Sequence, residues 1–305
     1  LIVLDSIFPV FGLIFLGTVL KRFRLTTDEF LSISDRLVYF VFFPALLFWK
    51  IGSASAISID WSLYAASLCA LLVVFALSGL CIQIFKVTDY QAGTFSQSCY
   101  RFNTYIGMAV IINAFGEEGV GIFGILIGIM IPVINLFAVS TLIWFSGKNY
   151  NAHERNRLLA RSLISNPLII GCAAGIIYSN LFEYFPDFID NTLRLTSFVT
   201  LPLALLSIGG NLTFPKFQRY LNTALLAATV KLIALPVCGY FFLQVFRIEG
   251  IPFKVAMIYF ALPASTAIFV LSSQLNSDTD LASASIVIST IFSLISLTVV
   301  LTIIG

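Results

Sequence analysis

The chain has 305 residues, 59% of them hydrophobic and only 10% charged, with a formal net charge of +2. So little polar surface cannot cover a water-soluble domain, so lipid is the expected solvent and no nucleic-acid partner is expected. A helix needs about 20 apolar residues to cross roughly 30 Å of hydrocarbon. On that measure ten spans are expected, at 2–20, 30–49, 61–85, 92–115, 119–146, 161–180, 188–210, 220–246, 252–274 and 281–304. The first has its charges after it and no small-residue cleavage site, so it is expected to be retained.

The ten stretches form two sets of five. An offset of 158 residues carries Pro9 onto Pro167, Gly17 onto Gly175, Arg36 onto Arg194, Phe40 onto Phe198, Pro44 onto Pro202, Leu47 onto Leu205 and Gly52 onto Gly210. Because five is odd, the second set must enter the bilayer from the opposite face, giving an inverted-topology repeat of the kind that builds secondary carriers. Pro44 and Pro202 are expected to kink the second and seventh spans.

Basic residues set the orientation. Lys21, Arg22, Arg24, Lys86, Lys148, Arg155, Arg157, Arg161, Lys216 and Arg219 share one set of loops; Lys50, Arg247 and Lys254 share the other. The first set is expected in the cytoplasm and both termini outside, with Glu117, Glu118, Glu183, Asp187, Asp190 and Glu249 at outer loops. Residues 147–160 are expected to be a cytoplasmic linker holding His153, the single histidine. The cysteines Cys69, Cys81, Cys99, Cys172 and Cys238 fall inside spans without metal or disulfide spacing. The acceptor pattern Asn211-Leu212-Thr213 faces the cytoplasm on this topology and is discounted.

The fourth span turns polar at its centre, Ser96 to Tyr105, and the matching part of the ninth, at an offset of 162, reads Leu262-Pro263-Ala264-Ser265-Thr266. Proline removes a backbone donor and clashes with the preceding turn, so the ninth span is expected to break near Pro263. Two broken helices related by an inverted repeat would cross near the midplane, with half-helix N-termini presenting positive ends to an anion. Arg101 lies about nine residues into its span, roughly 14 Å deep, and reads as a substrate contact or as a pin for unwound carbonyls. Lys231, about a dozen residues into the eighth span, reads as a donor to freed carbonyls or as charge compensation. Asp35 and Arg36 are expected to form an interfacial ion pair, and Asn113 and Asn135 to glue helices together.

Neither crossover region holds an Asp or Glu within a span, which argues against cation/proton exchange. Sodium coupling stays open through neutral oxygens of Gln97, Asn103, Thr104, Ser265 or Thr266. No cofactor is expected, and no nucleophile, carboxylate pair or metal cluster in the bilayer suggests an enzyme.

At these residues the chain resembles the auxin efflux carrier family. The resemblance covers nearly the whole chain and rests on Arg101-Phe102-Asn103-Thr104, Asn166-Pro167, Pro202-Leu203-Ala204-Leu205-Leu206-Ser207-Ile208-Gly209 and Leu262-Pro263-Ala264-Ser265-Thr266-Ala267. It implies an all-α fold of ten membrane helices similar to bile-acid and sodium/proton carriers. Scaffold parts are then expected at 1–60 and 161–211, and transport parts at 61–146 and 212–305, with an elevator motion and a possible homodimer through the scaffold. The plant carriers place an Asn-Pro-Asn type motif at the fourth-span crossover. Here Arg101, Phe102 and Asn103 stand in that region, which shifts the expectation from auxin itself towards other small organic acids. Family members are associated with malate, malonate and indole acetate, and a guanidinium fork suits a carboxylate. The expected substrate contacts are Arg101, Asn103, Thr104, Gln97, Pro263, Ser265 and Thr266. The missing long central loop suits a bacterial inner-membrane member. The alternatives are a sodium-coupled symporter and a non-transporting membrane sensor or binding protein.

Overall fold

The computed structural model describes residues 2–53, 61–147, 151–182, 184–212 and 217–304; Lys148, Glu183, Thr213 and Lys216 of the sequence reading lie outside them. All regular structure among the described residues is helical. Among the described residues seven stretches are long and apolar enough to cross a membrane: Val3–Arg22, Asp28–Gly52, Trp61–Ile84, Asp89–Phe145, Asp187–Asn211, Arg219–Val245 and Thr279–Ile304. Ala152–Ile164 with Pro167–Leu181, bent by 53°, would make an eighth. The 57-residue stretch Asp89–Phe145 covers two of the ten expected spans. The chain divides into two compact units.

The first unit comprises Leu1–Asp60, Tyr105–Ile131 and Ile164–Leu212. Its helices are α1 (Ile2–Arg22), α2 (Asp28–Leu37) and α3 (Phe43–Gly52), then α8 (Pro167–Leu181) and α9 (Asp187–Asn211). Thr27 starts α2 by accepting the Phe30 N–H at 3.1 Å, and Asp28 and Glu29 in the first turn suit the positive helix end. Between α2 and α3 the helix widens into a π turn, Val38–Phe42, just before Pro44. The wider turn removes the clash that a proline ring makes with the carbonyl four residues back. Pro202, by contrast, lies inside the continuous α9.

Close crossings hold this unit together. A methyl on Gly17 would lie 2.1 Å from the Leu206 carbonyl oxygen, and one on Gly175 would lie 3.1 Å from the Phe48 carbonyl oxygen. Both partners of the first contact shift by 158 residues to give the second. Thr18 Oγ1 adds a hydrogen bond to the Gly209 carbonyl at 2.9 Å. Asp35 departs from the expected pairing with Arg36. Its carboxylate accepts from Asn211 Nδ2 at 2.9 Å, because one face of α2 packs on α9 while Arg36 is exposed. At the other end Lys50 pairs with Glu117 at 2.6 Å, and Trp49 donates to Asp190 at 2.7 Å.

The second unit comprises Trp61–Thr104, Pro132–Leu163 and Thr213–Gly305. It begins with α4 (Trp61–Ile84) and α5 (Asp89–Tyr100). The long α6 (Thr104–Phe145), kinked at Gly116 where φ is 60°, supplies its later residues here. Next come α7 (Ala152–Ile164), α10 (Phe217–Thr229), a second π turn at Val230–Ala234 just before Pro236, and α11 (Leu235–Val245). The unit ends with α12 (Gly250–Ala261), α13 (Ala267–Gln274) and α14 (Thr279–Ile304). Within the expected linker at 147–160, the described residues from Ala152 onward are helical. Asn151 and Glu154 cap α7 reciprocally, at 2.8 and 3.0 Å, and Leu158 and Leu159 pack on Val139, Leu142 and Leu275.

Candidate functional site

Two interrupted helices meet inside the second unit. The twelve-residue α5 stops at Arg101, whose backbone is extended at φ −67°, ψ 138°; the chain runs on through Phe102 and Asn103 before α6 begins. The twelve-residue α12 stops at Leu262, equally extended at φ −65°, ψ 147°, and α13 begins at Ala267. The breaks touch directly, with the Asn103 N–H donating to the Pro263 carbonyl at 2.9 Å.

A break at membrane depth frees backbone groups that must find partners inside the protein. Side chains supply several of them. The Phe260 carbonyl faces Lys231 Nζ at 3.4 Å, the Ala261 carbonyl accepts from Ser296 Oγ at 2.9 Å, and the Ala264 N–H donates to Ser289 Oγ at 3.0 Å. Ser265 Oγ takes the Ala267 N–H at 3.3 Å. The N–H groups of Ser265 and Thr266 meet no acceptor among the described residues, and both residues are partly exposed. They stand at the start of α13, where the helix dipole places its positive end.

Arg101 is buried beside the other break, 8% exposed, and its Nη2 donates to Asn135 Oδ1 at 2.9 Å. Asn135 in turn donates to the Ser162 carbonyl at 3.3 Å, which fixes its amide and with it one edge of the guanidinium. Lys231 is fully buried in the π turn Val230–Ala234. Phe102 packs edge-on against Tyr259 at 4.6 Å between ring centres, bracing one break against the helix that leads into the other. The assembly is a pair of touching, side-chain-clamped chain breaks carrying a guanidinium and open N–H groups, an arrangement suited to holding an anion.

A family model described as membrane transport protein matches residues 2–301. The chain belongs to this family. It is the auxin efflux carrier family that the sequence resembles, and the chain is an integral membrane transport protein. Among similar proteins, an uncharacterized transporter of Methanocaldococcus jannaschii is 26% identical over 303 residues, covering 97% of this chain and 96% of its own. Another uncharacterized transporter, from Methanothermobacter thermautotrophicus, is 24% identical over 302 residues, covering 96% and 95%.

In this transporter the two touching breaks carry most of the expected site residues. Arg101, Asn103 and Thr104 line one break, and Pro263, Ser265 and Thr266 the other. Gln97 lies elsewhere, a turn back along α5. Its Nε2 donates to Ser272 Oγ at 3.0 Å, and Ser272 shares a 2.7 Å bond with Thr94, which also meets Ser277 at 2.8 Å. That network ties α5 to the end of α13. The sequence reading missed Ser289 and Ser296 as clamps, because hydroxyls on a small-residue helix read as packing. It read Asn135 as glue, and a lone amide amid apolar residues was the available sign of a fixed polar partner.

Proposed function

We propose that this chain is a secondary-type carrier of small organic anions, with the carboxylate held by Arg101 and the open N–H groups at Ser265 and Thr266. The observation that carries this reading is a buried guanidinium borne by one of two chain breaks that touch through the Asn103–Pro263 hydrogen bond. A charge at membrane depth costs about 2.5 to 3.5 kcal/mol on insertion scales, and a planar fork bonds both oxygens of a carboxylate. Asn103 and Thr104 complete the first break, while Pro263 keeps the second open. Lys231, whose ammonium faces the Phe260 carbonyl, is proposed as a fixed cation standing where a coupling ion would otherwise sit. The reading therefore favours sodium-independent transport without proton exchange, and it assigns no catalytic role.

The reading extends to ten crossings in two inverted sets of five. The Gly17 and Gly175 contacts, related by the same 158-residue shift as the sequence repeat, support it. Alternating access is proposed to be elevator-like, the crossover unit moving as one body to expose its site to either side in turn. The missing long central loop favours a bacterial inner membrane, and the positive-inside argument favours 147–160 in the cytoplasm with both termini outside. A homodimer through the first unit is proposed on the family resemblance alone.

The test is charge movement in proteoliposomes challenged with mono- and dicarboxylates and indole acetate, with and without sodium. A current carried by a carboxylate without sodium is the expected result. Strict sodium dependence would instead make it a symporter, and ligand binding without any current would make it a sensor.

A further inference from the structure

The turn from α1 to α2 carries three basic residues. Lys21 is paired with Asp28, whereas Arg22 and Arg24 are exposed and make no ion pair among the described residues. Phe23 and Leu25, which alternate with them, are also exposed, a mixture of basic and large apolar side chains that suits a membrane surface. The residues bracketing this turn, Leu20 and Thr26, line a cavity of about 130 Å³ with Gly17, Phe30, Leu31 and Leu206. Its wall is almost wholly apolar. An apolar cavity of about 150 Å³ takes a benzene-sized guest, so there is room here for a short stretch of acyl chain.

The repeat supplies a comparison within the same unit. The residues 158 places from Leu20 and Leu206 are Tyr178 and Phe48. There the rings fill the space: Tyr178 stacks on Phe185 at 4.0 Å, and Phe48 meets them edge-on at 5.6 and 5.3 Å. The counterparts of Arg22 and Arg24 are Asn180 and Phe182, neither of them basic. Open apolar space and free guanidinium groups therefore occur together at one hairpin and are absent together at the other.

We propose that this hairpin binds one anionic phospholipid, its acyl chain in the cavity and its phosphate on Arg22 and Arg24. The site lies wholly within the first unit and does not depend on the identity of the transported anion. Native mass spectrometry of the detergent-purified protein, incubated with phosphatidylglycerol or with phosphatidylcholine of the same chains, tests it. One phosphatidylglycerol is expected to be retained about tenfold or more in preference to phosphatidylcholine, in line with two basic groups at a membrane surface. Leu20→Tyr with Leu206→Phe, which installs the residues of the filled hairpin, should weaken retention of both lipids about tenfold. Arg22→Gln with Arg24→Gln, on the surface and harmless to packing, should keep a lipid but lose the preference. Equal retention of the two lipids by the unaltered protein, or an unchanged preference in the arginine variant, would overturn the proposal.

Discussion

Asn135 holds one edge of the Arg101 guanidinium and is itself fixed by the Ser162 carbonyl. Replacing Asn135 with Leu leaves the charge and removes that contact. Hydrogen bonds to charged groups contribute about 1.5 to 3 kcal/mol, so the KM for the transported anion should rise about tenfold or more, with a smaller change in maximal rate. An unchanged KM would show that Asn135 does not position the site. Lys231→Met removes the contact to the Phe260 carbonyl together with a buried charge. If Lys231 acts as the fixed cation, the ion dependence of transport should change in this variant. A profile identical to the unaltered protein, with lowered thermal stability, would assign the lysine to structure alone. The sequence singled out Arg101 and Lys231 because charges inside apolar runs stand out. It could not show that Asp35 turns to Asn211, since partners 176 residues apart leave no local trace.

At the scale of elements, the breaks and the close crossings hold the account up. Pro263 cannot donate a backbone hydrogen bond, and it favours an extended residue at Leu262, as observed. Pro263→Ala restores the donor and should let α12 run on towards α13. Transport should fall at least tenfold while the apparent melting temperature holds or rises; full activity in the variant would contradict a required break. Gly17→Ala places a methyl against the Leu206 carbonyl oxygen at 2.1 Å, backbone that has little room to yield. A destabilisation of about 1 to 3 kcal/mol is expected, visible as a lower apparent melting temperature in detergent. The breaks were legible because proline and a polar run interrupt otherwise apolar spans. The helix α7 was not, since its charges suggested a solvated linker, although Asn151 and Glu154 at capping spacing were a readable start signal. The π turns at Val38–Phe42 and Val230–Ala234 were equally hidden, because a proline announces a disturbance without saying how the helix absorbs it.

For the whole molecule, composition alone required a membrane protein, and the helices long and apolar enough to cross a bilayer agree with it. What the sequence could not rank was which polar residues face one another. Gln97, grouped with the substrate contacts on its polarity, has its amide nitrogen on Ser272, which is in turn bonded to Thr94, a pairing across 175 residues that leaves no local trace. The central claim is that the buried guanidinium of the crossover recognises the anion. The most direct test compares carboxylate-evoked charge movement in proteoliposomes of the unaltered protein, Arg101→Ala and Arg101→Lys, all verified as folded. No current is expected with alanine and a strongly reduced one with lysine, which lacks the planar fork. A full current in Arg101→Ala would contradict the claim and leave Arg101 as a pin for the unwound chain.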